Sequence, residues 1–275
     1  MVTGNASEIL SSLTDWPVPA VSAAVITDCP DVAARHGDRD RVQELASVTK
    51  LLVAYAALVA VEEGAVELDE AAGPEGSTVR HLLAHTSGVA FDDRRPTTAP
   101  GTKRIYSSAG FEILAEHVTE RSGIEFGEYL SAAVLEPLGM TSTELHGSAG
   151  HGARSNLRDM EAFAAELLAP TLVSGQTVDE ATSVQFEGLG GILPGYGSQR
   201  PNDWGLGFEL RDHKSPHWTG ETNSARTFGH FGQSGTFLWV DPEARVSCVV
   251  LADRAFGDWA KPLWTALGDT VLAGV

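Results

Sequence analysis

The chain has 275 residues, 43% of them hydrophobic and 20% charged; this excludes a disordered chain and is enough length for a substantial core in one large domain or two interleaved lobes. Lys plus Arg number 19 against 37 Asp plus Glu, a formal net charge of −18. That charge argues against partners such as nucleic acid or an anionic membrane, which call for clustered positive charge, and more weakly against polyanionic substrates.

In chain order, residues 7–16 predict a short amphipathic helix with Ile9, Leu10, Leu13 and Trp16 on one face. Val18 to Thr27 reads as a strand. A helix is expected from about Ser47 to Glu63, stopped by Gly64, then a short capped helix over Thr78 to His85. Ala109 to Arg121 and Arg158 to Leu168 follow as helices, the second closed by Pro170. Residues 188–197 hold five glycines without phosphate-loop spacing and read as a mobile loop bordering a pocket. After residue 200 the period changes. Trp204 to Leu210, Thr227 to His230, Gly235 to Asp241 and Arg245 to Ala252 predict strands, and Asp258 is expected to cap a final helix carrying Trp259, Leu263, Leu267 and Val271.

Strands therefore lie at both ends with helices between them. The fold expected is α+β, an antiparallel sheet built from both termini with an inserted helical lobe. We expect a single domain over 1–275, with the sheet lobe from 1–46 and 200–275 and the helical lobe from 47–199. Cys29 and Cys248 are too few for a disulfide framework and read as free thiols. The opening residues have no secretory leader pattern, and the longest uncharged apolar run, Leu51 to Val61, falls well short of the ~20 residues that span a bilayer. A cytoplasmic location is the expectation.

One residue breaks the pattern. The chain has four lysines, Lys50, Lys103, Lys214 and Lys261, and Lys50 is the only charge between Leu45 and Val61. Its helix is apolar all round, so it belongs in a core, where an unpaired ammonium is costly. Ser47 stands three residues earlier, one turn away on the same face. A desolvated lysine has a lowered pKa and can act as a base toward a hydroxyl. The plain alternative is that Ser47 caps the helix and Lys50 snorkels to solvent.

Ser47-Val48-Thr49-Lys50 resembles the first motif of the serine β-lactamase and penicillin-binding-protein superfamily. Tyr106-Ser107-Ser108 resembles the second motif, and His230-Phe231-Gly232 the third, in the His-x-Gly form of related esterases and peptidases. His81 to Gly88, Leu138 to Thr141 and Trp204 to Phe208 are similar to connecting blocks of the same family. The order holds from about Pro19 to Arg254, closest to the class C-like branch with family VIII carboxylesterases and D-alanyl-D-alanine peptidases. The resemblance implies a serine hydrolase with no cofactor and no metal, acting on a small-molecule ester or amide. It implies Ser47 as acylated nucleophile, Lys50 and Tyr106 sharing the proton, and His230 polarising Tyr106 or bonding substrate. It further implies Ser108, Phe231, Gly232 and Gln233 at the substrate, with the N–H groups of Ser47 and Gln233 as oxyanion donors. Ser108 departs from the commoner Asn and offers one hydroxyl in place of an amide. Gly232 is expected to let substrate approach the backbone. β-Lactamase or D,D-carboxypeptidase activity is the alternative. A metallohydrolase using His81 and His85 is a remote one, since Leu82 stands where His-Glu-x-x-His has its base; so is a non-catalytic binding module, which would normally have lost Ser47, Lys50 or Tyr106. The oligomeric state is not legible.

Overall fold

The computed structural model describes residues 9–27 and 32–275. Cys29 and the first two residues of the helix expected at 7–16 lie outside them. In the described part of that segment Ile9 is α-helical and Ser11–Asp15 form a 3₁₀ turn. Ile9, Leu10, Leu13 and Trp16 are nevertheless buried together.

The strands β1 (Val21–Thr27), β2 (Val32–His36) and the short β3 (Gln43–Glu44) precede the helices. Then come α1 (Thr49–Glu62), α2 (Val79–Leu83), α3 (Ser108–Ser122) and α4 (Phe126–Leu130), the last running into a π-helical turn at Ser131–Leu135. β4 (Glu144–Leu145), β5 (Ala153–Ser155), α5 (Leu157–Leu168) and α6 (Gly175–Ala181) follow. The hairpin β6 (Gly191–Leu193) and β7 (Gly197–Gln199) leads to β8 (Glu209–Leu210), β9 (Phe228–Gly232), β10 (Thr236–Asp241) and β11 (Val246–Ala252), and α7 (Ala260–Gly274) ends the chain.

Six of these strands form one sheet in the order β2-β1-β11-β10-β9-β8, each neighbouring pair antiparallel. The pleat sends alternate residues to opposite faces. Ala24, Ile26, Leu238, Val240, Val249 and Leu251 face the larger core with α1 and α5. Ala23, Val25, Phe237, Trp239, Cys248 and Val250 face the other, covered by Trp264, Leu267 and Val271 of α7. Both faces are buried, which explains why β10 and β11 read as largely apolar rather than alternating, with Ser247 the one polar residue inside β11.

Several boundaries depart from expectation. Asp258 does not cap α7; its side chain is solvent-exposed and pairs with Lys261 at 3.0 Å, and the N-cap position is Trp259. The Trp204 to Leu210 strand shrinks to Glu209–Leu210. The cause is Gly207, held at φ +85° with its Cα side facing α1, where a Cβ would sit 2.2 Å from Ala54 Cβ. The glycine-rich stretch is a β-hairpin with a turn at its tip, not an irregular loop.

Candidate active site

Ser47 lies on the 3₁₀ turn Ala46–Val48, which leads straight into α1. Ala46 immediately before it has φ 46°, a left-handed conformation that costs a non-glycine residue roughly 1–2 kcal/mol. Three contacts hold this turn. The Leu45 N–H donates to the Ala153 carbonyl at 2.9 Å, and the Thr236 hydroxyl donates to the Leu45 carbonyl at 2.9 Å. Gly232 packs against the same place: a Cβ there would stand 2.3 Å from the Leu45 carbonyl oxygen and 2.5 Å from Thr236 Oγ1. Its missing side chain is thus required where β9 crosses the serine turn, and Gly232 is not among the residues lining the cavity.

Lys50, one turn on, is completely buried. Its Nζ donates to the Gly150 carbonyl at 2.7 Å and to the Ser108 hydroxyl at 3.1 Å, and it stands over the Tyr106 ring, 4.5 Å from the centroid. Burial pushes its pKa down to about 7, with the Glu112 carboxylate pulling the other way. Glu112 also accepts from the Ser148 hydroxyl, which in turn accepts from the Gly150 N–H at 3.1 Å. One carboxylate therefore both senses the ammonium and ties down the loop whose carbonyl binds it. Gly150 itself has no room for a side chain, since a Cβ would lie 2.6 Å from Ser108 Cβ. Ser108 spends its hydroxyl on Lys50 and does not line the cavity.

Tyr106 presents its ring to the cavity while its hydroxyl is enclosed and has no hydrogen-bond partner among the described residues. Burial raises its pKa, opposed by the facing Ser47 hydroxyl, which approaches without reaching full hydrogen-bond geometry. His85 brackets this residue. Its carbonyl accepts from the Ile105 N–H at 2.8 Å and its Nδ1 accepts from the Ser107 N–H at 3.1 Å. The imidazole packs on the Tyr106 ring at 4.8 Å and edge-on to Trp204 at 4.6 Å. His81, by contrast, bonds Thr78 Oγ1 at 2.8 Å and packs on Phe186. His85 has left α2 in a left-handed conformation, φ 57°, so the two histidines do not present a shared helix face. Among the described residues no three His, Cys, Asp or Glu side chains cluster as metal ligands would.

His230, on β9, is buried and is held neutral, its pKa pushed down to about 3 by burial and by Lys50. Its Nδ1 lies 2.7 Å from the Phe231 carbonyl. The Tyr106 and His230 rings are 5.5 Å apart, with no hydrogen bond between them. A cavity of about 160 Å³ joins these parts, lined by Ser47, Phe91, Tyr106, Leu193, Pro194, Trp204, Glu209, His230, Phe231 and Gln233. Phe231 is wedged among Phe256, Trp218 and Trp264. The Gln233 side chain turns to the Phe256 carbonyl at 3.1 Å. Neither the Ser47 nor the Gln233 N–H has an acceptor within the protein among the described residues.

The sequence reading missed Phe91, Glu209 and His85. Burial alone would raise Glu209, but His217 and Lys214 hold its carboxylate ionised with a pKa of about 2. His217 Nε2 and Trp218 Nε1 each approach Glu209 Oε2 at 2.8 Å, and Lys214 pairs with the other oxygen. Lys214, Glu209 and Trp204 fall within one short segment, but the sequence gives no sign that its charges are buried. His85 sat in a recognised block with no reason to separate it from His81. Leu193 and Pro194 come from the glycine-rich segment that was expected to border a pocket.

Residues 17–271 match the family model described as Beta-lactamase. A crystal structure described as a beta-lactamase from Mycobacterium bovis is 62% identical, with TM-score 0.95 over 96% of this chain and 98% of that one. A structure described as a hydrolase with promiscuous acyltransferase activity shares the fold at 15% identity, TM-score 0.78, covering 97% of each chain. A "Putative D-alanyl-D-alanine carboxypeptidase" of Salmonella heidelberg is 27% identical across 59% of this chain and 48% of its own length. The chain thus spans about half the length of the curated relatives it matches.

Proposed function

Because the chain belongs to the Beta-lactamase family, we propose that it is a serine hydrolase that cleaves small esters through an acyl-enzyme on Ser47. The observation that carries this reading is the buried Lys50 ammonium, one turn from Ser47 and over the Tyr106 ring, with a pKa near 7. A lysine so tuned is substantially unprotonated at neutral pH and can take a proton from a neighbouring hydroxyl. Burial keeps the Tyr106 phenol protonated. The resting division is therefore a neutral Lys50 as base and a phenolic Tyr106 as proton carrier.

In this scheme Lys50 Nζ accepts the Ser47 hydroxyl proton as Oγ bonds to the substrate carbonyl carbon. The carbonyl oxygen becomes an oxyanion facing the N–H groups of Ser47 and Gln233, donors worth roughly 10²–10³ in rate each. Collapse breaks the ester C–O bond, and the leaving alkoxide receives the proton by way of Tyr106. Water then repeats the path on the acyl-enzyme, releasing the acid and restoring the Ser47 hydroxyl. The apolar wall of Phe91, Leu193, Pro194 and Phe231 and the volume of about 160 Å³ suit a short acyl group.

Hydrolysis of a β-lactam or of a D-amino-acid peptide is the second reading, favoured by what the relatives are called. Against it stand His230 and Phe231, which offer neither a cation nor a hydroxyl to a substrate carboxylate. Among the described residues no helix is long and apolar enough to cross a membrane. A cytoplasmic setting belongs to the same proposal, supported by Cys248, a buried thiol.

Intact-protein mass after reaction with a fluorophosphonate tests the assignment. One adduct per chain, mapped to the peptide carrying Ser47 and absent from Ser47→Ala, is the expected result; an adduct mapping elsewhere, or persisting in Ser47→Ala, overturns it.

A further inference from the structure

The peptide N–H groups on both sides of Tyr106 donate to a single residue. That of Ile105 donates to the His85 carbonyl at 2.8 Å, and that of Ser107 donates to His85 Nδ1 at 3.1 Å. The His85 imidazole also packs on the Tyr106 ring, with the centroids 4.8 Å apart. One residue therefore holds both flanks of Tyr106 and one side of its ring.

A peptide N–H only donates, so Nδ1 accepts, and the neutral imidazole carries its proton on Nε2. Burial, and after it the Lys50 charge, push the His85 pKa well below its ordinary value, which keeps the Nδ1 lone pair free. The clamp has supports of its own. His85 has φ 57°, in the left-handed region, and from there its carbonyl and its ring both meet residues 105–107. Phe111 and Trp204 enclose the imidazole at 5.1 and 4.6 Å. The Ser107 hydroxyl is used elsewhere: it accepts from the Gly110 N–H at 2.8 Å, at the head of α3, and donates to the Ala90 carbonyl at 2.6 Å. Its N–H is the group that ties it to His85.

Resting on the proton path proposed above, we infer that His85 is a positioning residue for Tyr106: as a neutral acceptor it sets where the phenol stands when it hands the proton to the leaving alkoxide. His85 does not line the cavity, so it acts through Tyr106 and not on substrate. Proton transfer tolerates little displacement, and a misplacement of about 1 Å can cost 10²-fold. The consequence is selective. A p-nitrophenolate departs as a stabilised anion, whereas an ethoxide needs the proton as the C–O bond breaks. Loss of the clamp therefore falls harder on an alkyl ester, while a general loosening of the fold falls on both esters alike.

The test measures kcat/KM, which covers the steps up to the acyl-enzyme, for ethyl butyrate and p-nitrophenyl butyrate. His85→Phe keeps a ring beside Tyr106 and removes the acceptor. It is expected to lower the ethyl-to-p-nitrophenyl ratio at least ~10-fold. His85→Asn, whose amide oxygen accepts from the same position and which tolerates a left-handed backbone, is expected to hold the ratio within ~3-fold of wild type. Tyr106→Phe is run beside them. A ratio that falls in Tyr106→Phe but not in His85→Phe overturns the His85 assignment and leaves the proton path standing. A ratio that Tyr106→Phe leaves unchanged overturns the proton path, and this inference with it. His85→Asn falling as far as His85→Phe overturns the acceptor role. If His85→Phe does not fold, the His85→Asn ratio and the imidazole ¹⁵N shifts of the wild type decide: a preserved ratio with the Nε2-protonated tautomer at pH 7 is expected, and a proton on Nδ1 overturns the inference.

Discussion

The Lys50 ammonium stands over the face of the Tyr106 ring, 4.5 Å from its centre, with its hydrogen bonds directed elsewhere, to the Gly150 carbonyl and the Ser108 hydroxyl. Both groups are tuned by the same burial and in opposite directions, the amine downward and the phenol upward. Each change favours the neutral form. The pair is therefore poised to pass one proton without either partner resting as a buried ion at alkaline pH.

The first prediction concerns this pair. Lys50→Ala and Tyr106→Phe are each expected to lower the acylation rate by at least ~10², the low end for a positioned general base. The double variant is expected to lose far less than the product of the two, because both serve one proton. Stopped-flow acylation with a p-nitrophenyl ester measures this, and fully multiplicative losses contradict the shared proton.

The pH dependence has a definite sign. Lys50 has a pKa of about 7 when folded, below its ordinary 10.5. Catalysis by the free amine rises with pH through about 7. Stability follows the same group: between about 7 and 10.5 the unfolded chain binds the proton that the folded chain has lost, so this contribution makes stability rise with pH across that window. Lys50→Met is expected to be more stable than the parent near pH 7 by about 1–4 kcal/mol, part of the desolvation gain being offset by the orphaned Gly150 carbonyl. The advantage shrinks as pH approaches 10. Urea melts at pH 7 and 9.5 check this; a Lys50→Met advantage that grows with pH has the wrong sign.

Much of this site was legible because charge patterning is local. A lone lysine at the head of an apolar helix stands out in sequence, as does the Ser-x-x-Lys spacing one turn long. The parts that were not legible are long-range. Gly150, which binds Lys50, is a hundred residues away from it, and Glu112 acts through Ser148 from a third segment. The strand β2 went unread because Arg35 and His36 interrupt its apolar run, and it lies at the sheet edge, where one side is open. Gly232 was expected to make room for substrate, yet the group it makes room for is the Leu45 carbonyl, a contact that depends on how β9 crosses the serine turn.

Glu112 provides a third test. Its carboxylate raises the Lys50 pKa against burial, so Glu112→Gln is expected to move the alkaline-rising limb of the acylation profile to lower pH. The amide oxygen can still accept from Ser148, so the loop position is kept. A limb that stays in place means that Glu112 acts only as a tether for residues 148–150.

Gln233 separates main chain from side chain. Its amide side chain bonds the Phe256 carbonyl at 3.1 Å, while its backbone N–H has no acceptor within the protein among the described residues. Gln233→Ala is therefore expected to change kcat/KM less than ~5-fold, against the 10²–10³ attached to a lost oxyanion donor. A loss of several hundredfold means that the side chain itself contacts substrate.

The last prediction concerns substrate charge. Penicillins and cephalosporins carry a carboxylate beside the scissile amide. Where relatives with a Lys-Thr-Gly third motif offer a cation and a hydroxyl, this chain has His230, neutral well below pH 7, and Phe231. Charge-assisted hydrogen bonds are roughly twice as strong as neutral ones, so their absence weakens anionic substrates selectively. The net charge of −18 adds repulsion that is screened beyond about 8 Å at physiological salt. Short neutral esters are expected to exceed a chromogenic cephalosporin in kcat/KM by at least ~10², about 2.7 kcal/mol of differential transition-state binding. His230→Lys is expected to narrow the gap by bringing a cation to the cavity. Adding Phe231→Thr would bring a hydroxyl too, but that ring packs at 4.9 Å on Phe256 and also contacts Trp218 and Trp264, so the double change carries a packing loss of about 3–5 kcal/mol, and the single change is the cleaner probe. The measurement is kcat/KM for p-nitrophenyl butyrate and for the cephalosporin, wild type and His230→Lys side by side. A wild-type enzyme that prefers the cephalosporin reverses the assignment and makes amide hydrolysis the primary activity.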